Sequence, residues 1–208
     1  MNEITLLAVS KTFGPEAVIE ALGAGQSAFG ENYVQEGVEK VLAVRGLLPP
    51  GAAPVVWHCI GPLQSNKTRL VAGHFDWVQS VDRIKIAQRL SEQRPAGLPP
   101  LQVCIQVNAD GGASKSGVSP QDLPGLAEMV AGLPGLRLRG LMSIPDPVEG
   151  EEAQRAVFLR VRDLFEALRA RGHDLDTLSM GMSDDLEPAI AAGSTLVRVG
   201  RAIFGSRG

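Results

Sequence analysis

The chain has 208 residues, enough for one domain with a substantial core. A formal net charge of -3, without any run of Lys or Arg, excludes the basic surface typical of nucleic-acid-binding proteins. No stretch is long and apolar enough to cross a bilayer, and the N-terminus lacks the pattern of a signal peptide. We therefore expect a single domain over residues 1–208, located in the cytoplasm, with Cys59 and Cys104 as reduced core thiols.

Strand and helix patterns alternate along the whole chain. Apolar, β-rich runs predict eight strands, at Ile4–Lys11, Ser27–Asn32, Val55–Gly61, Trp77–Asp82, Leu101–Ala109, Leu136–Pro145, Thr177–Met182 and Thr195–Gly200. Helical spacing predicts seven helices between them, at Glu16–Gly25, Tyr33–Arg45, Asn66–Gly73, Arg83–Arg94, Pro120–Ala131, Glu151–Arg171 and Asp184–Ala192.

This alternation predicts an α/β fold with a parallel sheet, because each strand is followed by a crossover connection. Eight is the number of strands that closes a (β/α)8 barrel of the TIM type. A doubly wound open sheet is the alternative, since the number of strands predicted from a sequence is uncertain by one or two.

Lys11 stands at the end of the first predicted strand. Burying a lysine ammonium group costs roughly several kcal/mol of free energy unless the group is paired or neutralised. Lys11 is therefore either a salt-bridged structural residue or a residue whose chemistry requires that position. A neutral lysine amine can form a Schiff base with an aldehyde.

Two strand ends carry groups that suit a phosphate. Ser183 follows strand seven at the predicted start of a helix, where backbone N–H groups and its hydroxyl would face an anion. Arg198, Gly200 and Arg201 end strand eight, and Gly200 lets backbone approach a ligand closely. The loops after strands seven and eight form the recurrent phosphate site of TIM barrels. The alternative is that Ser183 only caps its helix.

A lysine amine and a phosphate site at one barrel mouth suit pyridoxal phosphate (PLP). Glu31 and Asp82 are interpreted as salt-bridge partners at the rim in preference to substrate contacts. His58 is as consistent with a satisfied core histidine as with a site residue. No Cys, His or Asp cluster has metal-ligand spacing, so a metal site is not expected.

These residues lie in motifs that carry a family resemblance. The motifs are LLAVSKT at Leu6–Thr12, FGENYVQE at Phe29–Glu36, WHCIGPLQSNKTR at Trp57–Arg69, SKSGV at Ser114–Val118, GLMSIP at Gly140–Pro145, LSMGMSDDLEPAIAAGST at Leu178–Thr195 and VRVGRAIFG at Val197–Gly205. In this order they resemble the PLP homeostasis proteins, also called proline synthase co-transcribed homologues.

The resemblance implies a TIM-type barrel similar to the cofactor domain of alanine racemases. It implies that Lys11 holds PLP as an aldimine and that Ser183 and the backbone at Gly200 and Arg201 hold the phosphate. Arg198 would lie near the pyridine nitrogen. Asn32 and Met142 would line the ring pocket.

The resemblance also implies a role in intracellular PLP homeostasis and delivery without established catalysis. The expected partners are PLP and PLP-dependent apo-enzymes, with the chain as a monomer or weak homodimer. A weak amino-acid racemase or related PLP enzyme is the alternative, and a phosphosugar enzyme using Lys11 as an aldolase-type Schiff base is a third hypothesis. A two-base racemase is not favoured, because the chain shows no second β-rich domain and Tyr33 is its only tyrosine.

The chain departs from the family at its start. Family members usually begin with a helix before strand one, whereas this chain begins almost at the strand. We therefore expect a barrel that lacks this helix and leaves one helix position on its outer wall uncovered.

Overall fold

The closed sheet is the central feature of the structure, a computed structural model that describes residues 4–109, 111 and 116–205. Within these residues, eight parallel strands pair in chain order, and the last strand pairs back with the first through Thr5 and Leu196. The chain therefore forms the predicted (β/α)8 TIM-type barrel and not the open doubly wound sheet.

The elements alternate strictly. The strands are β1 Thr5–Val9, β2 Ala28–Glu31, β3 Val56–Cys59, β4 Trp77–Val81, β5 Leu101–Gln106, β6 Leu136–Met142, β7 Thr177–Met182 and β8 Leu196–Val199. The helices are α1 Pro15–Gly23, α2 Val34–Leu47, α3 Thr68–His74, α4 Ile84–Gln93, α5 Leu123–Ala131, α6 Glu151–Ala170, α7 Leu186–Ala191 and α8 Arg201–Phe204.

The predicted strands are confirmed in number and position, but most end earlier than predicted. The first strand ends at Val9, because the sheet ladder stops at the rim and Lys11 lies in the turn that follows. The seven helices predicted between the strands are all present, and an additional helix, α8, follows the last strand. Helix α8 is a single turn after Gly200, too short for its apolar spacing to be recognised in the sequence.

The core has two apolar layers. The larger layer lies between strands and helices and includes Phe29, Trp57 and Phe158. A smaller cluster of Leu7, Ala28, Ile60 and Leu196 fills one side of the barrel interior. Buried polar side chains, including Arg198 and Gln79, lie in another part of the interior and belong to the site described below.

Apolar residues at the first strand are exposed, whereas both cysteines are buried. Ile4, just before β1, and Leu6, within β1, are exposed. Cys59 and Cys104 are free and buried, and burial raises the pKa of each thiol to about 12. In the part of the chain described, no helix has the length and hydropathy needed to span a membrane.

Candidate functional site

The predicted site residues gather at one mouth of the barrel. Lys11 follows β1, Asn32 follows β2, Ser183 follows β7 and Gly200 follows β8. Parallel strands bring all these ends to the same rim, and closure of the barrel makes β8 and β1 neighbours. The lysine and the predicted phosphate residues, which are far apart in sequence, therefore share one rim.

Gly200 packs closely against the strand that leads to Lys11. A Cβ atom built on Gly200 would lie 3.3 Å from the carbonyl oxygen of Val9, the last residue of β1. A Cβ atom here would be a tight contact, which the neighbouring backbone could accommodate only by a small shift. The end of β8 thus lies directly beside the Lys11 turn.

Lys11 lies in a tight turn at the rim and is partly exposed. The N–H of Phe13 donates to the carbonyl oxygen of Ser10 at 3.1 Å and closes the turn. Thr12 adopts φ 70°, and its N–H donates to Glu36 Oε1 at 2.6 Å. The cost of burying an ammonium in a strand therefore does not apply fully to Lys11, because the chain has left the sheet before it reaches this residue.

A second lysine is buried beneath this turn. Lys40 on α2 has a side chain only 4% exposed, and its Nζ donates to Glu31 Oε1 at 2.7 Å and to the carbonyl oxygen of Ser10 at 2.6 Å. Its Nζ also lies 3.1 Å from Glu36 Oε1. Burial raises the pKa of Glu31, and the hydrogen bond from Lys40 opposes that rise. Glu31 is therefore a buried ion-pair partner, as predicted.

Asp82 is the other carboxylate that the sequence predicted as a salt-bridge partner at the rim. Asp82 pairs with its neighbour Arg83 at 2.6 Å. Among the described residues, no group of three or more His, Cys, Asp or Glu side chains has the geometry of a metal site.

Arg198 lies inside the barrel below the rim and is 4% exposed. Its Nη1 donates to the carbonyl oxygen and to Oγ of Ser179 at 2.8 and 2.7 Å, and its Nη2 donates to the carbonyl oxygen of Ser143 at 2.8 Å. Burial lowers its pKa to about 10, so the guanidinium stays charged at neutral pH. Met142, fully buried, pairs with Ser179 on the adjacent strand.

A chain of hydrogen bonds continues from Arg198 across the barrel interior. Ser179 Oγ donates to Gln79 Oε1 at 2.7 Å, and Gln79 Nε2 lies 2.9 Å from His58 Nδ1. The His58 ring stacks on Trp77 with centroids 5.0 Å apart. Burial lowers the pKa of His58 to about 3. His58 is therefore a neutral, hydrogen-bonded core histidine.

The β7–α7 turn differs from the sequence prediction. Helix α7 begins at Leu186 with Asp185 as its N-cap residue, so Ser183 is exposed in the preceding turn and is not a helix cap. Asp185 Oδ1 accepts from the N–H of Met182 at 2.6 Å. The helix was predicted to begin at Asp184, and this was wrong by two residues. The hydrogen bond from Met182 to Asp185 stabilises a turn that precedes the helix.

The guanidinium of Arg201 is directed to a surface partner. Its Nη2 lies 2.8 Å from Asp184 Oδ2, with the arginine side chain 68% exposed. The backbone at Gly200 and Arg201, which was predicted to bind the phosphate, lies at the rim. The Arg201 side chain forms an ion pair with Asp184.

The chain is similar to known proteins over nearly its whole length. The model of the family "Alanine racemase, N-terminal domain" matches residues 1–208. A Pseudomonas aeruginosa protein named pyridoxal phosphate homeostasis protein is 60% identical over 204 residues, covering 98% of this chain and 85% of that protein. The protein of the same name from Escherichia coli is 57% identical over 206 residues, covering 99% of this chain and 87% of that protein.

The chain belongs to the pyridoxal phosphate homeostasis protein family, within the alanine racemase N-terminal domain family. A structure of its relative PipY from Synechococcus elongatus, with PLP bound, superimposes with a TM-score of 0.87 at 36% identity and covers 97% of this chain and 92% of PipY. An alanine racemase from Corynebacterium glutamicum, 18% identical with a TM-score of 0.69, shares the barrel fold.

Several residues that contact the predicted site residues were missed in the sequence. Sequence reasoning did not single out Lys40, Glu36 or Gln79. Lys40 had a detectable signal, because it falls on the buried stripe of α2 with Gly37 and Val44. Gln79 had none, since its partner Ser179 is 100 residues away in the sequence. The SKSGV motif begins outside the described residues.

Proposed function

We propose that this chain binds PLP at the barrel mouth, with Lys11 as the residue of covalent attachment, and acts in PLP homeostasis and delivery without a catalytic activity of its own. The observation that carries this proposal is the adjacency of the Lys11 turn and Gly200, with the carbonyl oxygen of Val9 3.3 Å from a Cβ built on that glycine. The turn that carries the Lys11 amine and the backbone at Gly200 therefore lie side by side at one rim. The relatives named for PLP homeostasis and the PLP-bound PipY support it.

The chemistry of the mouth fits this ligand. Asn32 Oδ1 is buried and finds no hydrogen-bond partner within the described residues, so the site retains unused polar capacity at the end of β2. A partly exposed amine at Lys11, a hydroxyl at Ser183 and a charged guanidinium at Arg198 complete the donor set. When bound, PLP supplies an aldehyde that links reversibly to amines and an aromatic ring that can accept electrons.

Each residue then has a distinct role. The Lys11 amine would hold the aldehyde, while the Ser183 hydroxyl and the backbone at Gly200 and Arg201 would hold the phosphate. Asn32 would contact the ring from the side of β2. Met142 lies fully buried and would support the floor of the ring pocket.

Arg198 supports storage of the cofactor over catalysis. A guanidinium only donates hydrogen bonds, and Arg198 is fixed by Ser143 and Ser179 inside the barrel. Facing the ring nitrogen, it would keep that nitrogen unprotonated and weaken the ring as an electron sink. A two-base racemase would need a second acid/base residue inside the pocket. Tyr33, the one tyrosine in the sequence, is 57% exposed and does not lie there.

The proposal includes PLP-dependent apo-enzymes as recipients and the chain acting as a monomer or weak homodimer. Two free buried thiols, Cys59 and Cys104, support a reducing compartment such as the cytoplasm.

The first test is the absorbance spectrum of the purified protein with and without added PLP. We expect a yellow protein, and we expect borohydride to fix the cofactor on the peptide that contains Lys11. Lys11→Ala should abolish this covalent label while leaving the far-UV circular dichroism unchanged, because one partly exposed rim residue is not part of the core. A wild-type protein that remains colourless with excess PLP would contradict the proposal.

A second test separates storage from catalysis. Loss of α-deuterium from labelled amino acids is measured with PLP-loaded wild type and with Lys11→Ala. We expect no exchange above the level of free PLP in either case. Cofactor-dependent exchange lost in Lys11→Ala would establish the racemase-type alternative, and trapping of a substrate ketone on Lys11 would establish the aldolase-type alternative.

A further inference from the structure

The peptide groups on both sides of Lys11 are held by buried or half-buried side chains. On the N-terminal side, Ser10 donates its hydroxyl to Glu31 Oε1 at 2.6 Å, and its carbonyl oxygen accepts from Lys40 Nζ at 2.6 Å. Both the side chain and the backbone of the residue before Lys11 are therefore fixed to one ion pair.

On the C-terminal side, the backbone is held in a conformation it would not adopt unaided. Thr12 has φ 70°, a left-handed conformation that β-branched residues rarely adopt. Its N–H donates to Glu36 Oε1 at 2.6 Å, and the same oxygen lies 3.1 Å from Lys40 Nζ. The surrounding contacts therefore supply the free energy that holds Thr12 in this conformation.

A glycine on α2 allows the helix to reach the turn. A Cβ built on Gly37 would lie 2.8 Å from Phe75 Cζ and 3.1 Å from the Cβ of Glu31. With hydrogen in that position, α2 packs tightly on β2, so Glu36, the residue before Gly37, and Lys40, about one turn after it, reach the rim.

These contacts are poorly explained by stability alone. A buried ion pair is weak evidence for stabilisation, because desolvation offsets the attraction between its charges. Here two of the contacts end on backbone atoms of Ser10 and Thr12, the two neighbours of Lys11. We propose that Lys40, Glu36 and Glu31 are positioning residues that fix the Lys11 turn for attachment of PLP, an inference that rests on the proposed function.

Glu36 offers the cleanest test because its side chain is 35% exposed and its replacement should leave the barrel folded. Glu36→Met removes the acceptor for the Thr12 N–H at similar size, whereas Glu36→Gln keeps an oxygen acceptor without the charge. Glu39→Met is the matched control, since Glu39 is an exposed glutamate on the same helix. All are compared as full-length protein with PLP at one pH.

Two quantities are measured far below the melting temperature. The first is hydrogen exchange of the Thr12 amide without PLP, and the second is the rate and extent of borohydride-trapped PLP on Lys11. We expect Glu36→Met to speed exchange at Thr12 and to lower the attachment rate about five- to tenfold, the effect of one hydrogen bond. Glu36→Gln should stay within about twofold of wild type, and Glu39→Met should be unchanged.

The outcomes separate this inference from the proposed function. A wild-type protein that attaches no PLP contradicts the proposed function. A wild-type protein that attaches PLP at the same rate as Glu36→Met overturns the positioning role alone. A lower melting temperature in Glu36→Met with an unchanged attachment rate also overturns it, because only stability would then depend on the contact.

Discussion

At the scale of single residues, Gly200 is expected to be more important for PLP than for folding. Its φ of -117° is open to any residue, so Gly200→Ala introduces no backbone strain. The new Cβ would press on the Val9 carbonyl oxygen at 3.3 Å and intrude where we place the phosphate. We expect the PLP dissociation constant to rise about tenfold, because the methyl group would displace the phosphate from the backbone N–H groups and weaken one charge-assisted hydrogen bond.

The free energy of unfolding should fall by less than about 1 kcal/mol in Gly200→Ala, because the contact is a single close approach at the rim. Gly23→Ala on α1 is the control, since nothing lies within 4 Å of its added Cβ. Titrations followed by PLP absorbance and by urea unfolding measure both quantities. Unchanged PLP affinity would contradict the placement of the phosphate at Gly200.

At the scale of elements, α2 joins the sheet to the Lys11 turn, and two glycines on this helix test that packing. Gly37→Ala would place a methyl group 2.8 Å from the ring of Phe75, so we expect the free energy of unfolding to fall by about 1–3 kcal/mol through overpacking. Gly46→Ala has nothing within 4 Å and should raise it by up to about 1 kcal/mol through helix propensity. Equal effects of the two substitutions in urea unfolding would contradict the tight α2–β2 contact.

The elements also show what the sequence could predict. Apolar, β-rich runs predicted every strand, and helical spacing predicted the helices between them. Sequence motifs predicted which residues lie at the rim. All of these signals are local in the sequence, so they could be recognised without the structure. Lys40 escaped attention since a lysine within a helix usually faces solvent. The turn at Thr12 and the extra residues before α7 depend on acceptors supplied by Glu36 and Asp185, and no local pattern indicates these contacts.

At the scale of the whole molecule, the interior hydrogen-bond chain has a fixed direction. Arg198 can only donate, so Ser179 Oγ accepts from it and donates onward to Gln79 Oε1. The Gln79 amide group then donates to His58 Nδ1, which requires a neutral imidazole protonated at Nε2. Protonation of Nδ1 would set donor against donor and disturb the chain that ends at Arg198.

This direction links stability to pH. Burial lowers the pKa of His58 to about 3, below about 6.5 in an unfolded chain, so the unfolded state binds more protons between these values. The contribution of His58 is present above pH 6.5 and is lost as pH falls toward 3. Between pH 7.5 and pH 5 we expect a loss of up to about 2 kcal/mol in the free energy of unfolding.

Other groups titrate in the same range, so the prediction is tested as a difference between wild type and His58→Phe. Burial raises the pKa of Glu31, which acts in the opposite sense. Burial alone would raise the pKa of Asp176, but hydrogen bonds from Arg139 and Thr177 lower it, so its contribution is lost at low pH. Both contributions cancel in the difference, because the two proteins share these groups.

His58→Phe retains an aromatic ring against Trp77 but leaves the Gln79 amide without its acceptor. We expect the variant to be less stable than wild type by about 1–3 kcal/mol at pH 7.5, the cost of an unsatisfied buried donor. That gap should narrow at pH 5, because only wild type has a histidine that must stay neutral to fold. Urea unfolding at both pH values measures the gap, and a constant gap would show that His58 titrates alike in the folded and unfolded chain.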